Sequence, residues 1–203
     1  MKHLTARGKT FIWRKHTMFN KHSWLILSIS FLMVALVGCG NGTDNNNSTQ
    51  ESTNVSSENS NRPQAYNFTV EKLGGEQVSL SDYQGKVLIV NIWDTWCPPC
   101  RAEIPDFIKL YDEYNDDGLV ILGIAAAQEG VDAVEKFVES YNINYPIALL
   151  NQQTFEGFGP IKGIPTTFVI DKNGRIAEKY VGLPRKAGLS PYEAFEQDVK
   201  ALL

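Results

Sequence analysis

After His22 the chain has no histidine, and after Cys39 it has only two cysteines, Cys97 and Cys100. A segment with two Cys and no His cannot assemble the usual four-ligand zinc sites, nor a Cys–His catalytic pair. No apolar run reaches the ~20 residues a membrane-spanning helix needs; the longest, Trp24 to Val37 (WLILSISFLMVALV), is 14 residues with two serines in it. Acidic residues are missing from residues 1–39, which carry six Lys/Arg (Lys2, Arg7, Lys9, Arg14, Lys15, Lys21). Subtracting those six from 19 leaves 13 basic against 23 acidic residues in the rest, a net of −10 within an overall −4. Nucleic-acid binding needs clustered positive charge to replace counterions around phosphate, so no nucleic-acid partner is expected. No metal site is expected, and no cofactor beyond the two sulfurs.

What is present at the N-terminus is ordered like an export signal: a basic stretch, the short apolar core, then Leu36-Val37-Gly38-Cys39. That tetrapeptide resembles the lipobox of bacterial lipoproteins. The resemblance implies that residues 1–39 are a lipoprotein signal peptide and that Cys39 is the lipid anchor, diacylated and first in the mature chain. The alternative is a short uncleaved membrane anchor with an idle Cys. Met18-Phe19-Asn20-Lys21 would itself open a compact signal of this kind, so Met18 is a second candidate start. Residues 40–62 hold one aliphatic residue, Val55, among Asn, Ser, Thr and Gly. Too little apolar surface is available there to offset ordering entropy, and the segment is expected to be a disordered tether with a reach of roughly 25 Å.

Residues 63–203 read as one α/β domain. Phe68-Thr69-Val70 and Gln77-Val78-Ser79-Leu80 flank Gly74-Gly75 as a hairpin. Lys86 to Trp93 is a near-continuous apolar run, as suits a central strand buried on both faces, and Leu119 to Ala125 is a second. Between them, Ile104, Phe107, Ile108 and Tyr111 recur at helical spacing within Pro98–Tyr114, and Val134, Phe137, Val138 and Tyr141 do so within Val131–Tyr141. Thr166–Ile170 and Arg175–Val181 flank Asn173-Gly174, a pair that suits a type I′ turn. Ser190-Pro191-Tyr192-Glu193 is a capping box with proline at the first helical position, opening a last helix. The order is βαβαβ, then a β-hairpin, then α.

Trp96-Cys97-Pro98-Pro99-Cys100 joins the buried strand to the helix after it. A lone C-x-x-C serves zinc as readily as redox chemistry, but no other Cys or His follows residue 39 to complete a metal site. The strand-to-helix position puts Cys97 at a helix N-terminus, where free N–H groups and the helix dipole favour a thiolate.

With Pro105 five residues after Cys100, and Gly163-Ile164-Pro165-Thr166-Thr167 just before the hairpin, the chain resembles the thioredoxin superfamily. Asn91-Ile92-Trp93-Asp94-Thr95-Trp96-Cys97, Cys100-Arg101-Ala102-Glu103-Ile104-Pro105 and Gly163 to Phe168 are most similar to its membrane-tethered ResA/TlpA branch. That resemblance implies a thioredoxin-like three-layer sandwich, a central mixed sheet flanked by helices, with an added N-terminal β-hairpin. It implies a redox-active Cys97–Cys100 disulfide in a thiol–disulfide oxidoreductase on the outer face of the cell membrane. Its partners would be disulfides of exported proteins, with apocytochromes c among them, and a membrane thiol electron donor. Cys97, the more exposed, would attack as thiolate, and Cys100, one turn in, would resolve the mixed disulfide. Pro165 in cis would keep its loop close and free the Ile164 backbone for substrate, while Trp96 shapes the contact surface.

The chain departs from the family at two points. Many thioredoxins place a buried Asp six residues before the first Cys, as proton acceptor for the second; here that position is Asn91. ResA-type proteins place Glu between the cysteines; here both positions are Pro. The base for Cys100 is left open among water, Asp94 and Glu129, each carboxylate being expected to be solvated. A peroxiredoxin-like thiol peroxidase is the rival enzyme, but its Pro-x-x-x-Thr/Ser-x-x-Cys pattern meets Val90 and Asp94 here. A tethered binding module with a structural disulfide is the non-enzymatic alternative.

Overall fold

A computed structural model of the chain describes residues 61–203. The expected signal peptide, Cys39 and all but the end of the expected tether lie outside them. Arg62 is already held, its guanidinium 3.2 Å from the buried Asp171 carboxylate and its carbonyl accepting from Arg175 Nη1 at 3.0 Å.

Seven strands form one mixed sheet: β1 Thr69–Lys72, β2 Gln77–Ser79, β3 Val87–Trp93, β4 Leu119–Ala125, β5 Ile147–Leu149, β6 Thr166–Ile170 and β7 Ile176–Val181, in the order β2-β1-β5-β4-β3-β6-β7. β3, β4 and β5 run parallel; β1 pairs antiparallel with β2 and β5, and β6 antiparallel with β3 and β7. The helices are α1 Pro98–Tyr114, α2 Val131–Tyr141, α3 Gln152–Gly157 and α4 Pro191–Leu202, with a 3-10 turn at Leu80–Tyr83. None of them is long and apolar enough to cross a membrane.

The central strand shows why two layers flank the sheet. Successive side chains of a strand point to opposite faces, and in β3 all seven are buried. Val87, Ile89 and Trp93 pack with Ile104, Phe107 and Leu110 of α1, Val134 of α2, and Phe195 and Val199 of α4. Leu88, Val90 and Ile92 face the other way, against Phe68, Val70, Leu80 and Phe158. The expected hairpin is therefore part of the sheet, and it helps to close the second face.

Two elements lie between α2 and β6: β5, three residues long, is the third strand of the expected βαβαβ order, and α3, six residues long, is absent from that order. Asn151 caps α3 through Thr154 N (2.8 Å) and ties it to β1 by donating to the Thr69 carbonyl (2.7 Å). The hairpin turn also differs from expectation. Asn173 does not enter the left-handed region, whereas Gly174 does, at φ 74°. Gly174 N bonds the Asp171 carbonyl at 2.9 Å, and the Asp171 carboxylate accepts from Asn173 N (2.9 Å) and Arg175 N (3.0 Å). This aspartate stabilises the three-residue hairpin form with glycine after the turn, in place of type I′. The capping box at Ser190 and Glu193 forms as the sequence indicates.

Candidate active site

The carboxyl end of β3 and the start of β6 are neighbours in the sheet, so the segments attached to them meet at one pole. From β3 the chain runs through Asp94-Thr95-Trp96 into α1, and into β6 it comes through Gly163-Ile164-Pro165. Cys97 is the N-cap of α1 and is disulfide-bonded to Cys100, with Cα atoms 5.3 Å apart. Helices leave their first N–H groups without intrahelical partners. Here Pro98 and Pro99 have none to offer, and Cys97 N bonds the Asp94 carbonyl. The Cys100 N–H is what remains, and it points at Cys97 Sγ from 3.3 Å. In the reduced protein that donor and the helix dipole stabilise a Cys97 thiolate.

The Ile164–Pro165 bond is cis, and the Ile164 carbonyl lies 3.7 Å from Cys97 Sγ. Thr166 Oγ1 donates to the Gly163 carbonyl at 2.6 Å and pins the loop to the strand. Cys97 is the more exposed of the two cysteines by a small margin, with 2% of its surface open against none for Cys100. Trp96 stands out at 47% exposure between two clefts. One, of about 220 Å³, is apolar and lined by Ile161, Ile164, Leu150 and the half-exposed Phe155. The other, of about 720 Å³, is bordered by Arg101, Lys136, Glu129 and Phe137. Arg101 lies over the Phe137 and Tyr141 rings, 5.6 Å from each centroid.

Asp94 is a correction to the sequence reading. Instead of being solvated it is fully buried, accepting from Thr95 N (2.8 Å) and Gln128 N (3.1 Å), so it joins the loops after β3 and β4. Glu129 accepts from Thr95 Oγ1 at 2.8 Å, on the wall of the larger cleft.

The sequence reading overlooked Glu103. It lies three residues beyond Cys100, which places both on one face of α1, and both are fully buried. Its Oε1 accepts from Asn91 Nδ2 at 2.7 Å, and its Oε2 is buried without a protein partner. Burial pushes the carboxyl up to about 8 from its ordinary 4.5, against the lowering pull of the Asn91 bond and with a small rise from Asp106. A buried acid that titrates near neutrality, one turn beyond the second cysteine, can take and return a proton there. The available signal was spacing: Cys100, Glu103 and Phe107 fall at i, i+3 and i+7, so a charge sits on the apolar stripe.

A family model described as the AhpC/TSA family matches residues 62–179. The chain belongs to that family. It is 36% identical over 129 residues to the thiol-disulfide oxidoreductase ResA of Bacillus thuringiensis (strain Al Hakam), covering 64% of this chain and 74% of that one. Among solved structures, a thiol:disulfide interchange protein of the thioredoxin family from Chlorobium tepidum TLS is 33% identical, with TM-score 0.61 over 70% of this chain and 96% of the other. A putative thiol:disulfide interchange protein DsbE from Chlorobium tepidum is 30% identical, with the same TM-score and coverage. The fold is thioredoxin-like, and the protein is a thiol–disulfide oxidoreductase that carries a Cys97–Cys100 disulfide. Within this AhpC/TSA member, the positions of the peroxidatic Pro and Thr/Ser are taken by Val90, buried in β3, and the fully hydrogen-bonded Asp94.

Proposed function

We propose that this oxidoreductase is held on the outer face of the cell membrane by a lipid on Cys39 and reduces disulfides in exported proteins, apocytochromes c among them. A membrane thiol donor would restore the dithiol. The observation that carries the site reading is the placement of the Ile164 carbonyl 3.7 Å from Cys97 Sγ, beside the exposed Trp96. An extended substrate segment laid along that loop pairs with the Ile164 backbone and brings its disulfide to Cys97. The placement outside the membrane rests on the basic, apolar and lipobox-like order of residues 1–39.

The chemistry follows in two exchanges. Cys97 thiolate attacks one sulfur of the substrate disulfide, and the other sulfur leaves as thiolate. Cys100 gives its proton to Glu103 and attacks Cys97 Sγ; the bond from Cys97 to the substrate sulfur breaks, that sulfur leaves as thiolate, and the enzyme is left with its own disulfide. Two electrons have passed to the substrate.

Replacing Cys100 with Ala removes the second exchange and spares the first. Cells carrying that variant should accumulate mixed disulfides of exported proteins through Cys97, dissolved by reductant. In cells with the parent protein, thiol trapping should find the pair mostly reduced. A pair found mostly oxidised would turn the direction around, to an oxidase; absence of Cys97-dependent adducts would remove the assigned roles.

A further inference from the structure

We propose that Asn91 is the positioning residue of the resolving exchange: it holds the Glu103 carboxyl under Cys100 in the orientation that receives the thiol proton. This rests on the reading that Cys97 attacks and Cys100 resolves.

Asn91 occupies the middle of β3, where the neighbouring buried positions are Val90 and Ile92. An amide in such a place costs stability unless its polar atoms are bonded. Its Nδ2 donates to Glu103 Oε1 on α1 at 2.7 Å and to Thr167 Oγ1, its cross-strand partner on β6, at 3.0 Å. Both N–H groups are thereby used, and the amide plane is held between strand and helix. Turned the other way, the amide would set its oxygen against the carboxylate. With Oε1 occupied, the buried Oε2 is the carboxyl atom left open for exchange. Buried polar atoms without partners are few in folded proteins and ask for a role. Thr167 also stands two residues from Pro165, so one amide links the cysteine helix, the central strand and the loop over Cys97.

The groups around Glu103 that can titrate are Asp106 on its own helix, Tyr145 on the segment leading into β5, and the cysteines. β3 and β6 present the uncharged Asn91 and Thr167, and α4 meets α1 through Phe195 on Phe107. The Asn91 bond favours the ionised carboxyl. Its removal therefore raises the pH at which Glu103 can accept a proton.

The test uses the full chain and two readouts. The Glu103 carboxyl is titrated by carbon NMR in the oxidised protein. Separately, release of a peptide thiol from a preformed mixed disulfide at Cys97 is followed against pH. Asn91→Ala should raise both midpoints together by about one to two pH units and slow release at pH 7 roughly tenfold, as loss of a bond to a charged group does. Thr167→Val, which keeps the shape and removes the second acceptor, should move both in the same direction by less. In a Glu103→Gln background, Asn91→Ala should leave the release profile where it is. An unmoved Glu103 midpoint in both variants overturns the inference, as does a moved midpoint with an unmoved release profile. Release that proceeds equally fast in Cys100→Ala overturns instead the resolving role of Cys100, and the inference with it.

Discussion

Replacing Glu103 with Gln should make the protein more stable at neutral and alkaline pH, and the gain should vanish in mild acid. Glu103 rises from 4.5 to about 8 on folding, chiefly through burial. Between those values the folded protein keeps a proton that the unfolded chain has released, so stability falls as pH rises through the window. The rise is roughly 3.5 units, which at about 1.4 kcal/mol each amounts to about 5 kcal/mol once the group is ionised in both states. About half of it accrues between pH 5 and pH 7, a loss of about 2–3 kcal/mol. That is a large part of the 5–15 kcal/mol typical of a whole domain.

Glutamine keeps the shape and an oxygen for Asn91, and it has no proton to lose. No histidine lies beyond residue 22, so none in the folded domain titrates across the same window. The assay is urea unfolding of the oxidised parent and Glu103→Gln proteins at pH 5, 7 and 9. The variant's advantage should grow by about 2–3 kcal/mol from pH 5 to pH 7 and then level off past pH 8. Parallel stability curves would refute the account, because they would mean that Glu103 titrates alike in the folded and unfolded chain.

Gly157→Ala would place a methyl 2.1 Å from two atoms of the Tyr66 ring; a loss of about 1–3 kcal/mol in thermal or urea unfolding is expected, part of which Tyr66→Leu should restore in the double variant. Trp96→Ala removes the exposed wall shared by both clefts, and should slow reduction of protein disulfides roughly tenfold while small aromatic disulfides react as before; equal losses on both would place Trp96 outside the docking surface. Cys39→Ser should release the protein from the membrane fraction and leave disulfide reduction by the purified protein intact, since two acyl chains supply position alone; retention at the membrane would favour an uncleaved apolar anchor.

Strands and helices whose burial follows from their own periodicity were legible in the sequence. β3 is apolar except for Asn91 and β4 is apolar throughout, α1 and α2 carry their stripes at helical spacing, and Ser190 and Glu193 announce α4 three residues apart. Elements that depend on distant partners were not. β5 is three residues held by β1 on one edge and β4 on the other. α3 is one and a half turns docked by Asn151 on Thr69 and by the contact of Gly157 with Tyr66. Neither has enough residues to show a period. The same division runs through the site. Composition alone singles out Cys97 and Cys100, since no other sulfur or imidazole follows residue 39. Glu103 and Asp94 carry the charge of any surface carboxylate, and only the packing around them decides otherwise.

The exchange of Asp for Asn at position 91 shows what such packing accomplishes. Relative to the thioredoxin pattern, the chain has no acid on β3 to serve the second cysteine. An acid there would have stood across a strand–helix gap from Cys100. Glu103 instead sits on the cysteine helix itself, at a fixed offset from Cys100 set by the helix repeat. A buried acid on a helix needs a donor opposite it if it is ever to ionise, and the vacated strand position supplies one in the Asn91 amide. The strand position that lacks the carboxylate thus supplies the donor that tunes the one on the helix. An Asn91→Asp variant brings the two designs into conflict. Two carboxyls 2.7 Å apart in a buried site cannot both ionise, so they should share one proton and titrate in two separated steps. The variant should therefore remain folded at pH 5, with one hydrogen-bonded proton between the pair, and lose stability more steeply than the parent as the pH passes 8. A variant whose pH dependence matched the parent's would show that position 91 does not face Glu103 in solution.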